Sequence, residues 1–156
     1  MSGKIRNWLD YRFVLIGSLL PDIIDKPLGT LLFPDFFGSN RIIAHTLLFL
    51  IIAGLLAVLY YKRPHKALFL GLFFGTAIHF ILDGIWLWPQ TFFWPLYGWS
   101  FTRTDLSNWL PRIIYSMHTD PAVYIPEIIG TIVVVAFTIG LIRTGNIISF
   151  LKTGQI

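Results

Sequence analysis

The chain has 156 residues, 55% of them hydrophobic and only 13% charged, with 12 Lys and Arg against 8 Asp and Glu. A soluble domain carries about twice that charged fraction, and a mean hydropathy of +0.69 argues for a chain whose surroundings are largely lipid. There is no cysteine, which excludes disulfides and thiolate metal sites, and in a lipid-embedded chain a pI of about 9.6 reports topology before it suggests nucleic acid.

Spanning a bilayer takes about 20 mostly apolar residues. In chain order, the first candidate is "WLDYRFVLIGSLLPDII" (Trp8 to Ile24), weaker than the others because its purely apolar part is short and Pro21 interrupts it. It contains no small-residue cleavage site and leads into Asp22 and Asp25, so it does not read as a cleavable signal. Three spans follow: about Ile42 to Tyr61, about Ala67 to Trp88, and about Ala122 to Ile142. The expected fold is therefore all-α, a polytopic membrane helix bundle of three transmembrane helices plus the Trp8–Ile24 candidate. No repeat, low-complexity tract or linker divides it, so residues 1–156 read as a single membrane-embedded domain.

Basic residues orient the bundle. Lys62, Arg63 and Lys66 fill the link between the second and third segments, and Arg143 and Lys152 follow the last. By the positive-inside rule these are cytoplasmic, together with Lys4, Arg6 and Arg12 if the first segment spans. The opposite face receives Asp22, Asp25, Asp35, Asp83, Asp105, Asp120 and Glu127 against Lys26, Arg41, Arg103 and Arg112. Such a face suits a cation better than a phosphate backbone, and no nucleic-acid partner is expected. The stretch from Trp88 to Pro121, dense in Trp, Phe, Tyr and Pro, reads as an aromatic belt at headgroup level.

Depth then gathers the polar residues. A helix rises about 1.5 Å per residue. Entering near Ala67, the third span carries His79 about 18 Å and Asp83 about 24 Å across. The second runs the other way from about Arg41 and holds His45 about 6 Å inside the outer boundary. Asp22 and Glu127 fall near the same level. Gly71, Gly75, His79 and Asp83 recur every four residues and so share one helix face. The glycines admit a neighbouring helix, which turns His79 and Asp83 into the bundle, where ionisable groups mark function by default. A His and an Asp at that spacing can hold one metal, and an imidazole with carboxylates suits zinc or a harder ion such as manganese. They could equally form a hydrogen-bonded structural pair. His118, in "SMHTDP", reads as a solvated loop residue, and His65 as a surface residue of the basic turn.

Three blocks carry a family resemblance: "GSLLPDIIDKP" (Gly17 to Pro27), "NRIIAHTLLF" (Asn40 to Phe49) and "GTAIHFILDGIWLWP" (Gly75 to Pro89). In this order they resemble the motifs of the YdjM-like membrane-bound metal-dependent hydrolases. That family is in turn distantly similar to zinc-dependent phospholipase C and the single-strand nucleases, helical proteins that gather His and Asp around zinc ions. The resemblance implies Asp22, His45, His79 and Asp83 as metal ligands. It departs in two places: Asn40 stands where the family has a histidine, and Asp25 follows Asp22 by three residues rather than two.

Such an ion, zinc with manganese as the alternative, would activate water. Asp25 is then the candidate general base or bridge to a second ion. Arg41, one turn before His45 if the helix is continuous, is the candidate clamp for an anionic substrate oxygen. The expected function is a metal-dependent hydrolase in a prokaryotic cytoplasmic membrane, acting at its outer face on a phosphoester or lipid-linked substrate. Two other classes stay open: a small ion or proton carrier, disfavoured because the inner halves of the spans are nearly free of polar residues, and a metal-stabilised protein without catalysis.

Overall fold

A computed structural model describes residues 9–63, 65–103 and 109–154. It is helical, with α1 (Tyr11–Lys26), α2 (Pro34–Phe37), α3 (Leu47–Leu59), α4 (Lys66–Asp83), α5 (Pro89–Phe92), α6 (Trp109–Thr119), α7 (Pro121–Arg143) and α8 (Ile147–Thr153). A π-helical turn, Pro27–Leu32, continues α1, and 3-10 turns lie at Ile43–His45 and Ile85–Leu87. The described residues form two compact units, 9–103 and 109–154.

In the first unit, α1 and α4 lie side by side and run parallel. The glycine stripe makes this approach close: a Cβ on Gly71 would come within 2.7 Å of the Phe13 Cβ, and one on Gly75 would collide with the Val14 carbonyl oxygen. Small residues at every fourth position let backbones meet in this way. Pro21 does not end α1. Its missing N–H leaves the Gly17 carbonyl without a helical partner, and the Thr76 hydroxyl of α4 donates to that carbonyl at 3.2 Å. α3 packs antiparallel on α4, with the Tyr60 and Phe69 rings stacked at 4.4 Å near the basic turn and Gly54 against Phe73.

Among the described residues, two helices are long and apolar enough to cross a membrane, Lys66–Asp83 and Val123–Arg143. The expected span from Ile42 to Tyr61 is shorter: α3 has 13 residues, about 20 Å against a hydrocarbon core of about 30 Å. Its start is displaced because residues 42, 44 and 45 give their N–H groups to Asp25 instead of to a helical ladder. Thr46 becomes the N-cap, its hydroxyl accepting from the Phe49 N–H at 3.1 Å. The second unit contains α6, α7 and α8. His118, expected in a loop, sits near the C-terminal end of α6, exposed, with Nδ1 bonded to the Ile114 carbonyl at 2.7 Å. Asp105 and the side chain of Glu127 lie outside the described residues.

Candidate metal centre

The site forms where the C-terminal halves of α1 and α4 meet the 3-10 turn before α3. Asp25 organises it. Its carboxylate is fully buried and accepts the backbone N–H groups of Ile42 (2.7 Å), Ala44 (2.9 Å) and His45 (3.0 Å). A buried carboxylate is stable only with its charge satisfied by donors, and these three N–H groups supply them. The same carboxylate takes the His45 ring Nδ1 at 2.7 Å. When Nδ1 of the neutral ring donates to this carboxylate, Nε2 of His45 is left with a lone pair for an ion.

Two further polar atoms lie close to it. Nε2 of His79 lies 3.2 Å away, and Oδ1 of Asp22 lies 3.6 Å away. The ligand atoms of Asp22, His45 and His79 all fall within 4.8 Å of one another, a group able to hold a metal ion. Two nitrogens bound to one tetrahedral zinc at 2.0–2.1 Å stand about 3.3 Å apart, so the imidazole pair already has the separation such an ion requires. Phe80 stacks parallel to the His45 ring, with centroids 6.2 Å apart. Lys26 binds the second oxygen of Asp22 at 2.7 Å, leaving Oδ1 to the histidines.

Asp83 and Arg41 take a different arrangement. Asp83 lies one turn beyond His79 but outside the group of three. Both its oxygens are held by Arg41, Nε to Oδ2 at 2.7 Å and Nη2 to Oδ1 at 2.6 Å. Arg41 is not one helical turn before His45: residues 40–42 are irregular, because Ser39 binds the Arg41 backbone at both N–H and carbonyl. Its guanidinium lies 5.5 Å from the Trp88 ring centroid. Burial opposes its charge, but the bonds to Asp83 outweigh this and hold its pKa above the ordinary value.

The fold thus brings Asp22, His45 and His79 together as ligand candidates. It supplies Asp25 from behind His45 rather than beside a metal, and Asp83 paired with Arg41. Asn40, at the family's histidine position, has a buried Oδ1 without a hydrogen-bond partner among the described residues. His65 is exposed at the start of α4, about 21 Å along the helix from His79. Reasoning from sequence misses Lys26 and Trp88 as supporting groups. Only Lys26, four residues after Asp22, carries a signal, the i, i+4 charge pair. A cavity of about 950 Å3 between α3 and α4, lined by Gly54, Phe73, Lys62 and Arg63, contains none of these ligand candidates.

The family model described as YdjM inner membrane protein matches residues 2–151. The chain belongs to that family, which locates it in the inner membrane of a prokaryotic cell. No curated protein and no solved structure matches it.

Proposed function

For this member of the YdjM inner membrane protein family, we propose a membrane-embedded metal-dependent hydrolase, with Asp22, His45 and His79 as the protein ligands. The observation that carries the reading is the 3.2 Å approach of the two imidazole Nε2 atoms, with His45 fixed through Nδ1 on Asp25. At that distance the two nitrogens are joined by a shared proton or by a cation between them. The nitrogen and carboxylate donors fit zinc, and manganese is the harder alternative.

Three protein ligands leave a position open, the pattern of catalytic rather than structural sites. An ion held by these residues would supply an activated water, its pKa lowered to about 7. The protein residues do the rest by position. His45 and His79 offer Nε2 from two different elements, so the site requires the folded bundle. Asp22 contributes one oxygen while Lys26 engages the other. Asp25 serves as the orienting carboxylate of His45, the arrangement that fixes ring and tautomer in metal–histidine–carboxylate triads. That role replaces those of base and bridge, because its oxygens are already occupied by three backbone donors and the ring.

The substrate we infer is an amphiphile with a phosphoester at headgroup level. Segments leaving α1 and α4 at the site end expose large apolar side chains, among them Phe36 at 77%, Leu96 at 81% and Trp99 at 80%. Such a collar suits the membrane interface and would bring the metal centre to the phosphate region. The acidic, site-bearing end is assigned to the extracytoplasmic face, because the other end carries Lys62, Arg63 and Lys66.

The test is hydrolysis by protein purified in detergent, offered phosphomonoester, phosphodiester and phospholipid substrates with zinc or manganese. Turnover should be abolished by chelator and by His79→Ala. Folded, metal-loaded protein without turnover on any of them would favour the metal-stabilised, non-catalytic reading.

A further inference from the structure

We infer that Arg41 is the residue that keeps this centre open, by holding Asp83 out of the metal's coordination sphere. The inference rests on the metal reading above and deepens it.

Asp83 has every local qualification to be a fourth ligand. It follows His79 by four residues on α4, and such side chains are neighbours on one helix face, with Cβ atoms about 5–6 Å apart. A carboxylate so close to a divalent cation would ordinarily bind it. A fourth protein ligand would close a tetrahedral zinc site, and closed sites are structural ones.

The structure gives Asp83 another partner. Arg41 meets it with two parallel charge-assisted bonds of 2.6 and 2.7 Å, the bidentate geometry that makes Arg–carboxylate pairs strong and directional. The pair is partly buried, with side-chain exposures of 26% and 19%, so water screens it less than a surface pair. Arg41 is itself restrained. Ser39 ties its backbone at both ends of the residue, and Trp88, on the segment leaving α4, flanks the guanidinium. The contest between the arginine and the ion for Asp83 is thus settled by a preorganised fork. Arg41 acts through Asp83 and is a positioning residue.

The experiment compares zinc affinity, and the visible absorption of bound cobalt(II), in the full-length wild type, Arg41→Gln, Asp83→Asn and the double variant. Cobalt absorption reports coordination number and donor set independently of turnover. In Arg41→Gln the freed carboxylate should join the ion, raising zinc affinity tenfold or more, changing the cobalt spectrum and lowering turnover. Asp83→Asn alone should retain wild-type affinity and spectrum, and the double variant should return to them. If Arg41→Gln does not fold, Asp83→Asn still decides. Wild-type affinity there supports the inference, and a tenfold loss would make Asp83 a resident ligand and overturn it. Equal affinity and equal spectra in folded Arg41→Gln would also overturn it. Failure of the metal reading looks different, because then the wild type itself binds neither ion.

Discussion

Asp25 fixes the backbone at 42–45 and the ring of His45 with one carboxylate, so Asp25→Asn should cost both stability and metal. An amide placed among three backbone N–H donors turns its own NH2 towards at least one of them. A buried donor left unpaired costs about 1–3 kcal/mol, visible as a lower Tm of the purified protein. Loss of an orienting carboxylate typically reduces metal affinity about 10–100-fold, measurable by competition with a zinc chelator. Unchanged affinity in a destabilised Asp25→Asn protein would show that His45 does not depend on it. The histidine ligands also set a pH dependence. An imidazole binds metal only when deprotonated, so zinc affinity should fall as acid protonates the two rings. An affinity that never falls on acidification of the folded protein would contradict imidazole ligation. The meeting of His45 and His79 is legible in the sequence through their depth alone. Asp25 is visible there as a candidate but not in its role, because its donors lie 17 to 20 residues further along the chain. The pairing of Asp83 with Arg41 is hidden for a similar reason: the same acid satisfies the spacing rule for a ligand, and only the fold brings a competing arginine to it.

At the scale of elements, the α1–α4 contact positions His79 against His45, and its tolerance is small. Gly75→Ala should destabilise the protein by about 1–3 kcal/mol, the usual range for overpacking a close contact, and should weaken zinc binding by shifting α4. Gly130→Ala and Gly140→Ala, on α7, add a Cβ that meets nothing within 4 Å. They should be neutral or stabilising by up to about 1 kcal/mol, the helix preference of Ala over Gly. Thermal unfolding in detergent checks both, and equal effects at Gly75 and Gly130 would contradict the packing described. The glycine stripe makes this contact legible from sequence, since a period of four is a property of one helix alone. The start of α3 is not legible in that way. "IIAHTLLFL" is almost continuously apolar, and hydropathy cannot register that a distant carboxylate has claimed its N–H groups. Nor does "WLPRIIYSMHT" declare itself a helix, because its aromatic and proline content matches an interfacial belt equally well.

For the whole molecule, sidedness is the first prediction. The chain has no cysteine of its own, so single cysteines at Asp35 and Arg63 give unambiguous labelling by an impermeant thiol reagent on intact cells. Asp35→Cys should label and Arg63→Cys should be protected; the reverse would invert the bundle and put the site on the cytoplasmic side. Membrane character and an all-helical fold follow from composition, which fixes the solvent of the chain. The division into two units does not, because residues 88–121 offer no flexible, polar linker of the kind that marks a boundary. The central claim is a metal centre built by Asp22, His45 and His79, and metal content measures it most directly. Protein purified in detergent without chelator, analysed by elemental mass spectrometry, should carry about one divalent ion per chain, as a single three-ligand site implies. His79→Ala should lose that ion, and His65→Ala should keep it. A folded His79→Ala protein with full metal content, or a wild type with none after zinc is supplied, would contradict the account.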